Sequence, residues 1–491
     1  MDYNQLDNDD LSFFQEIIGS KYVLSDTQQL FDYGHDETED LSFPPQVVLK
    51  PFTTKEISAI LKYCNEKRIA ITPCGARTGL SGGSLPVFGG VALSLERLNY
   101  IIEIDERNLQ ATVHPGVINQ VFRDKVAEKG LFYPPDPSSK GSCQLGGNLA
   151  ENAGGPRAVK YGVTKDYVLN LEVVLPTGEI IWTGANVLKN ATGYDLTALM
   201  IGSEGTLGII TKIVFRLIPL PTKDISILIP FNSAEKACEA VSAVFRAGIT
   251  PSALEFIERD ATLWTIKHTD INMQIADDVK AHLLVEVDGD DMDILYKDCE
   301  RIFKVMEQFD AGEILLADSE SQKNQIWKLR RMIAESVKSN SVYKEEDTVV
   351  PRAELAKLLS GVKQIGDKYG FQSICYGHAG DGNLHPLIMF DGSDKEQLRK
   401  TEEFGAEILK LCVKLGGVIT GEHGVGIEKR ELMCEMFNDR DIQQQLDIKK
   451  SLDEKNLLNP GKVYPILRKC AEEGRVHVHK NENKFPDLPR F

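Results

Sequence analysis

Several things are scarce or missing in this chain, and each absence narrows its role. Its nine cysteines are odd in number, are scattered singly and form no CxxC pair. Neither a disulfide framework nor an iron–sulfur cluster is therefore expected, and reduced thiols are the simpler state. Basic residues are in deficit: 56 Lys and Arg against 73 Asp and Glu leave a net charge of −17. That balance argues against nucleic acid or an anionic membrane surface as a direct partner. No apolar run approaches the roughly eighteen residues that a membrane span needs, and the N-terminal MDYNQLDNDD lacks the charged-then-apolar order of a signal peptide. The expectation is a soluble cytoplasmic protein without direct membrane insertion. There is no internal repeat or low-complexity tract. No glycine cluster is followed by Lys-Ser or Lys-Thr, and the first is spaced wrongly for a dinucleotide fingerprint, so a P-loop is excluded and a Rossmann site is not indicated.

At 491 residues, the chain is too long for one core, and two or three domains are expected. Glycine is concentrated in three loops. The first, CGARTGLSGGS from Cys74 to Ser84, has four glycines, and Arg77, Thr78, Ser81 and Ser84 add donors. Successive N–H groups in such a loop form a concave anion site. The second loop, Gly141 to Gly162, and the third, Gly202 to Gly208, suggest an extended phosphate-bearing ligand rather than three unrelated turns.

The order of patterns predicts an α+β protein. Residues to about Leu41 read as an acidic helical lead-in. A strand, a helix capped by Thr53 or Thr54 and a second strand then run into the first loop. Short alternating strands follow, with a hairpin turning at Pro176 to Gly178. From Asp224 the order becomes βαβ then βαβ, the split ferredoxin-like arrangement, with Asn232 and Glu235 as a capping box for its first helix. Later helices include one carrying Arg330, which by default is a solvated surface arginine.

The sharpest local signal is CYGHAGDGNLHPLIM. With Asp381 and Gly382 as the centre of a type I′ turn, His378 faces His385 directly, and both imidazoles could reach one metal ion. Further on, GEHGVG sets Glu422 and His423 between glycines. Two histidines and a carboxylate form a facial ligand set; adjacent residues do not easily both ligate, which assigns Glu422 to the metal and leaves His423 as proton acceptor, histidine being the side chain that titrates near neutrality. His477 and His479 are weaker candidates in a polar tail.

Eight segments in one order, PCGARTGLSGGSLP, PPDPSS, GGNLAENAGGPRAVKYG, NATGYDL, GSEGTLGIIT, GHAGDGNLHP, GEHGVG and LNPGKVYP, resemble the FAD-linked oxidases of the vanillyl-alcohol oxidase type, and among these the FAD-linked subunits of bacterial glycolate oxidases. The resemblance implies a lead-in over residues 1–43, a two-part FAD-binding (PCMH-type) domain over 44–222, a ferredoxin-like substrate and metal domain over 223–466, and a polar tail over 467–491. It implies FAD on Pro73, Gly75, Ala76, Arg77, Thr78, Gly79, Leu80, Ser81, Gly82, Gly83 and Ser84, with Pro135, Asp136, Gly147, Asn148, Asn152, Gly154, Gly205 and Ile210 lining the rest. The first loop lacks the histidine that carries covalent flavin in relatives, so a non-covalent cofactor is implied.

By the same resemblance His378, His385 and Glu422 bind a divalent metal such as zinc, His423 is the base and Arg330 grips the substrate carboxylate. Ala334 and an out-of-step Lys344 stand where some relatives have a threonine and a lysine. The implied reaction is oxidation of a small 2-hydroxy acid, with an iron–sulfur subunit and a second flavin-type subunit as partners towards a membrane quinone pool. D-lactate or D-2-hydroxyglutarate oxidation, a non-redox FAD-containing alkyl transferase and a metal hydrolase stay open on sequence alone.

Overall fold

A computed structural model describes residues 3–38, 41–317 and 319–465; the tail with His477 and His479 lies outside the described residues. The chain forms two compact units. Of the described residues, the first unit holds 3–153, 163–220 and 422–465, and the second holds 154–162 and 221–421. The sequence division thus differs in three places: the lead-in joins the first unit, a short piece of the second glycine loop belongs to the second, and the chain from Glu422 returns to the first.

The first unit is built on two sheets. In one, β1 (Val23–Leu24), β2 (Val47–Leu49), β3 (Ile71–Cys74) and β4 (Val91–Ser94) lie in the order β1-β2-β4-β3. The pairs β2–β4 and β3–β4 are parallel. Their near-continuous apolar runs, VVL and VALS, suit strands covered on both faces. The helix Thr54–Lys67 crosses between β2 and β3, and Thr53 with Glu56 closes its N-terminus as a capping box. The outer edge of β3 is covered from far along the chain: Ile71 N–H donates to the Leu457 carbonyl at 2.8 Å, and Asn459 N–H to the Ile71 carbonyl at 2.7 Å.

The second sheet holds β5 (Ile101–Asp105), β6 (Gln110–Val113), β8 (Val168–Val174), β9 (Ile180–Trp182) and β10 (Ile209–Arg216) in the order β5-β6-β10-β8-β9; a small pair joins β7 (Leu131–Phe132) to β11 (Ile218–Pro219). The lead-in is not separate from this unit. Phe14 and Ile18, four residues apart on the helix Asn8–Ile18, present one apolar face and enter the same core as Val47, Ile60, Val174 and Ile209.

In the second unit, β12 (Lys223–Phe231), β13 (Ala253–Glu258), β14 (Ala281–Gly289) and β15 (Leu315–Ala317) take the order β15-β12-β14-β13. This is the ferredoxin-like order that the sequence pattern predicts. Ser233, not Asn232, caps the helix Ala234–Arg246, accepting from Lys236 N–H. The sheet continues through β16 (Val342–Glu345), β17 (Thr348–Val349), β18 (Ser373–His378) and β19 (Asn383–Phe390), with β18 beside β13 and β19 beside β18. Strand alternation along β13 divides its neighbours: Leu254 and Phe256 join the large core that includes Val241, Ile302 and Phe404, whereas Ala253 and Ile257 face the helix Glu320–Lys338 through Ile326 and Ile333.

Seven cysteines are buried and free, and Cys470 lies outside the described residues. No helix among the described residues is long and apolar enough to cross a membrane.

His282 on β14 is 5% exposed, its Nδ1 has no hydrogen-bond partner among the described residues, and burial, aided by Arg259, lowers its pKa to about 4. The unfolded chain takes up this proton near pH 6.5 and the folded one only near 4, so folding stability falls across that window as pH decreases, by about 3 kcal/mol at most. Urea melts of wild type and His282→Gln between pH 7.5 and 4 are expected to show a shallower decline in the variant; parallel declines would refute this.

Candidate active site

The first and third glycine loops and the Leu145–Glu151 part of the second meet within the first unit. The first leaves the end of β3, and a Cβ added at Gly205 in the third would overlap the Pro73 ring. Gly202 N–H donates to the Leu149 carbonyl at 2.8 Å and Glu204 N–H to that of Ala150 at 2.9 Å, which fixes the third loop on the helix Leu145–Glu151 of the second. A Cβ added at Gly75 would stand 3.4 Å from Gln144 Oε1, whereas at Gly79 and Gly147 it would meet nothing within 4 Å. Backbone at these two glycines therefore borders open space, as a cradle for an extended cofactor requires. The residues fit FAD in this respect.

Several expected donors are engaged within the protein. The Arg77 guanidinium lies 4.1 Å from the Tyr33 ring centroid, Ser81 Oγ donates to the His423 carbonyl at 2.9 Å, and Ser84 Oγ reaches Asp36 at 3.4 Å. The Pro135 carbonyl and Asn148 are both tied to Asn119 at 3.2 Å, Asp136 is 3.7 Å from both Arg123 and Lys140, and Asn152 adopts a left-handed φ of 55°. Ile210 is buried on β10, and Gly154 falls in the second unit.

Sequence reasoning passed over the charged cluster beneath these loops. Lys462 donates to the Leu85 carbonyl at 2.5 Å and to Asn459 at 2.9 Å; burial lowers its pKa to about 7 against the opposing pull of Cys74, Asp36 and Glu204. Burial, with Glu204 second, pushes the Glu151 carboxyl well above the usual carboxylate range. Glu204 itself accepts from Val425 and Gly426 N–H, each at 2.7 Å, and so fixes the GEHGVG loop to the first unit.

The histidine hairpin lies in the second unit, in a different register from the one expected. His378 pairs with Asn383 and His385 with Tyr376, and the turn is the four residues Ala379–Gly382, with Gly382 at φ 89°. A left-handed residue closing one 3₁₀ turn replaces the two-residue I′ turn, so the histidines are diagonal rather than opposed neighbours. Tyr376, His378, Asn383 and His385 still share one face, because partners and second neighbours do. The two rings stand 5.4 Å apart between centroids at 87°, and each offers a nitrogen within 4.8 Å of one on the other. Both histidines are buried, at 3% and 4% exposure.

Arg330 is not a solvated helix residue. It is 5% exposed on the helix Glu320–Lys338, its Nη2 is 2.6 Å from the Glu255 carboxylate, and its guanidinium lies 4.5 Å from the Tyr376 ring centroid. Its Nε has no hydrogen-bond partner among the described residues. Glu255, on β13 and 0% exposed, accepts from His378 Nδ1 with both oxygens at 2.9 Å. Burial pushes its pKa up, but His378 and Arg330 together outweigh this and hold it below the usual range. Tyr376 OH donates to Glu345 at 2.8 Å, and Glu345 is 3.6 Å from His385 Nδ1.

A second buried carboxylate, Asp347, accepts from Asn383 Nδ2 at 2.8 Å, Thr420 Oγ1 at 2.7 Å and Gly421 N–H at 2.6 Å. Gly421 is therefore fixed against the hairpin. Glu422 and His423 follow it directly in the chain and belong to the first unit.

Residues 45–184 match the FAD binding domain family and residues 220–463 match the family of FAD linked oxidases, C-terminal domain. The glycolate oxidase subunit GlcD of Bacillus subtilis (strain 168) is 40% identical over 435 residues, 88% of this chain and 92% of that protein. The chain belongs to the FAD-linked oxidases. It is also similar to a D-lactate dehydrogenase of Anaerostipes hadrus, at 36% identity over 94% of this chain and 98% of the relative. The fold is that of a solved p-cresol methylhydroxylase, with a TM-score of 0.76 and 20% identity, covering 93% of this chain and 96% of the other. The two-part FAD-binding architecture of the vanillyl-alcohol oxidase type is thereby shown, and with it a FAD-dependent oxidoreductase.

Because no atom lies within 4 Å of a Cβ at Gly147, Gly147→Leu is expected to leave the melting temperature of flavin-stripped protein within about 2 °C of wild type while lowering bound FAD at least tenfold, read from absorbance and released flavin. Full flavin content in this variant would move the cofactor away from the cradle.

Proposed function

We propose that this chain oxidises a small 2-hydroxy acid to the 2-keto acid. The observation that carries this reading is the pair of buried imidazoles on one strand face, linked through Glu255 to a buried arginine that keeps an unmatched donor. A buried orphan donor costs about 1–3 kcal/mol, and a carboxylate ligand relieves it; the planar guanidinium suits that group. Glycolate is the first substrate by similarity to the glycolate oxidase subunit, and D-lactate is the second by similarity to the D-lactate dehydrogenase.

FAD on the glycine cradle would supply the hydride acceptor, and a divalent cation such as zinc, held by His378, His385 and Glu422, would supply Lewis acidity. Glu422 is assigned to this set because it adjoins Gly421, which Asp347 ties to the hairpin. His423 takes the hydroxyl proton, so that the O–H and alpha C–H bonds break as the carbonyl forms. Arg330 binds the substrate carboxylate, and the Tyr376 ring beneath it restricts its swing. The first loop, Cys74 to Ser84, contains no histidine, in keeping with FAD held without a covalent bond.

The electrons then leave through other chains. The relatives named as glycolate oxidase subunits support a subunit role here, with an iron–sulfur subunit and a second flavin-type subunit as partners, in the cytoplasm and peripheral to the inner membrane.

Anaerobic mixing of the flavin-loaded protein with glycolate, D-lactate, L-lactate and D-2-hydroxyglutarate, followed at the flavin band, is expected to bleach fastest with glycolate. His423→Ala is expected to slow bleaching by about 10²–10⁴-fold with metal content unchanged, and His378→Ala to lose the metal. No bleaching by any acid, or loss of metal in His423→Ala, would overturn these roles.

A further inference from the structure

We propose that Glu255 is a positioning residue that holds the metal-binding histidine and the substrate-binding arginine in one arrangement; this rests on the reading above of His378 as a metal ligand and Arg330 as the carboxylate grip. Glu255 sits mid-strand on β13, on the buried face it shares with Ala253 and Ile257 and opposite Leu284 of β14. A charge placed there is unfavourable, and an apolar residue of similar size would stabilise the sheet better. Its retention calls for a role beyond packing, and its partners supply one. Both oxygens are 2.9 Å from His378 Nδ1, and Oε2 is 2.6 Å from Arg330 Nη2.

A carboxylate only accepts, so Nδ1 of His378 carries the hydrogen and Nε2 is left to ligate. The same carboxylate occupies one corner of the guanidinium, so Arg330 meets an incoming acid with its remaining donors already oriented. Around His385 the printed geometry is looser: its Nδ1 is 3.6 Å from Glu345, whose Oε1 already accepts from Tyr376. The close carboxylate of Glu255 thus fixes the tautomer and ring plane of His378, and metal retention and acid binding are expected to weaken together when that carboxylate is neutralised.

The test uses the flavin-loaded full chain as wild type, Glu255→Gln and Glu345→Gln, dialysed against graded chelator and assayed for residual metal by elemental analysis. Glu255→Gln is expected to release metal at about 10–100-fold lower chelator than wild type, with Glu345→Gln close to wild type. KM for the best acid rises several-fold more than kcat falls in Glu255→Gln. Equal metal retention in Glu255→Gln and wild type overturns the proposal while leaving the metal reading intact. A wild type that holds no metal instead overturns the reading on which it rests. If Glu255→Gln does not accumulate, Glu255→Asp, which keeps the charge but withdraws it by one methylene, is read in the same titration and is expected to fall between the two; wild-type retention in Glu255→Asp counts against the proposal.

Discussion

Buried carboxylates that receive hydrogen bonds from backbone and side chains far away in sequence are the constraint on which the site depends. Three recur. Glu204 holds the N–H groups of Val425 and Gly426, Asp347 holds Gly421 and Thr420 together with Asn383, and Glu255 holds His378 and Arg330. Each is at most 6% exposed, so each must be matched or it destabilises the fold. Gly421 is therefore fixed within the second unit by Asp347, and Val425 and Gly426 are fixed within the first by Glu204. Glycine is required there because the carboxylates and carbonyls come close: a Cβ at Gly424 would overlap Glu151, and one at Gly426 would overlap the Ser81 carbonyl.

Much of this was legible in the sequence where the signal is local. The ferredoxin-like order follows from alternating patterns, and it appears as the sheet β15-β12-β14-β13. A threonine cap at 53 or 54 was readable, and the structure settles it on Thr53. That the two histidines share a face was also readable, although the register was not: a turn two residues longer changes every partner, and His378 and His385 stay on one face because His378 moved opposite Asn383, an even offset from His385.

What was not legible is pairing across long separations. Glu255 lies 123 residues from His378, and nothing in ALEFIE distinguishes a carboxylate that supports a site from one at a strand end. Arg330 reads as solvated because its helix is rich in Lys, Arg and Gln; only the sheet beneath it makes that turn of the helix buried. Arg157 and Lys160, in a glycine-rich stretch suited to phosphate, pair instead with Glu286 and Asp288 of the second unit. The N-terminal helix was separated from the first unit because its acidic residues dominate its composition, while Phe14 and Ile18 carry its packing.

The covering of β3 by Leu457–Asn459 has a consequence for how the chain acquires its structure. During synthesis, the loop that follows β3 emerges early, yet the strand edge beside it stays unpaired until Leu457–Asn459, nearly 390 residues later, has been made, and Asn459 and Lys462 then bind the carbonyls of Gly83 and Leu85. Closure over so long an intervening sequence is slow and leaves an open edge in the interval. The nascent chain is thus most exposed to aggregation and to chaperone capture while the second unit is being translated, and the flavin cradle is closed only once the segment 457–462 has emerged.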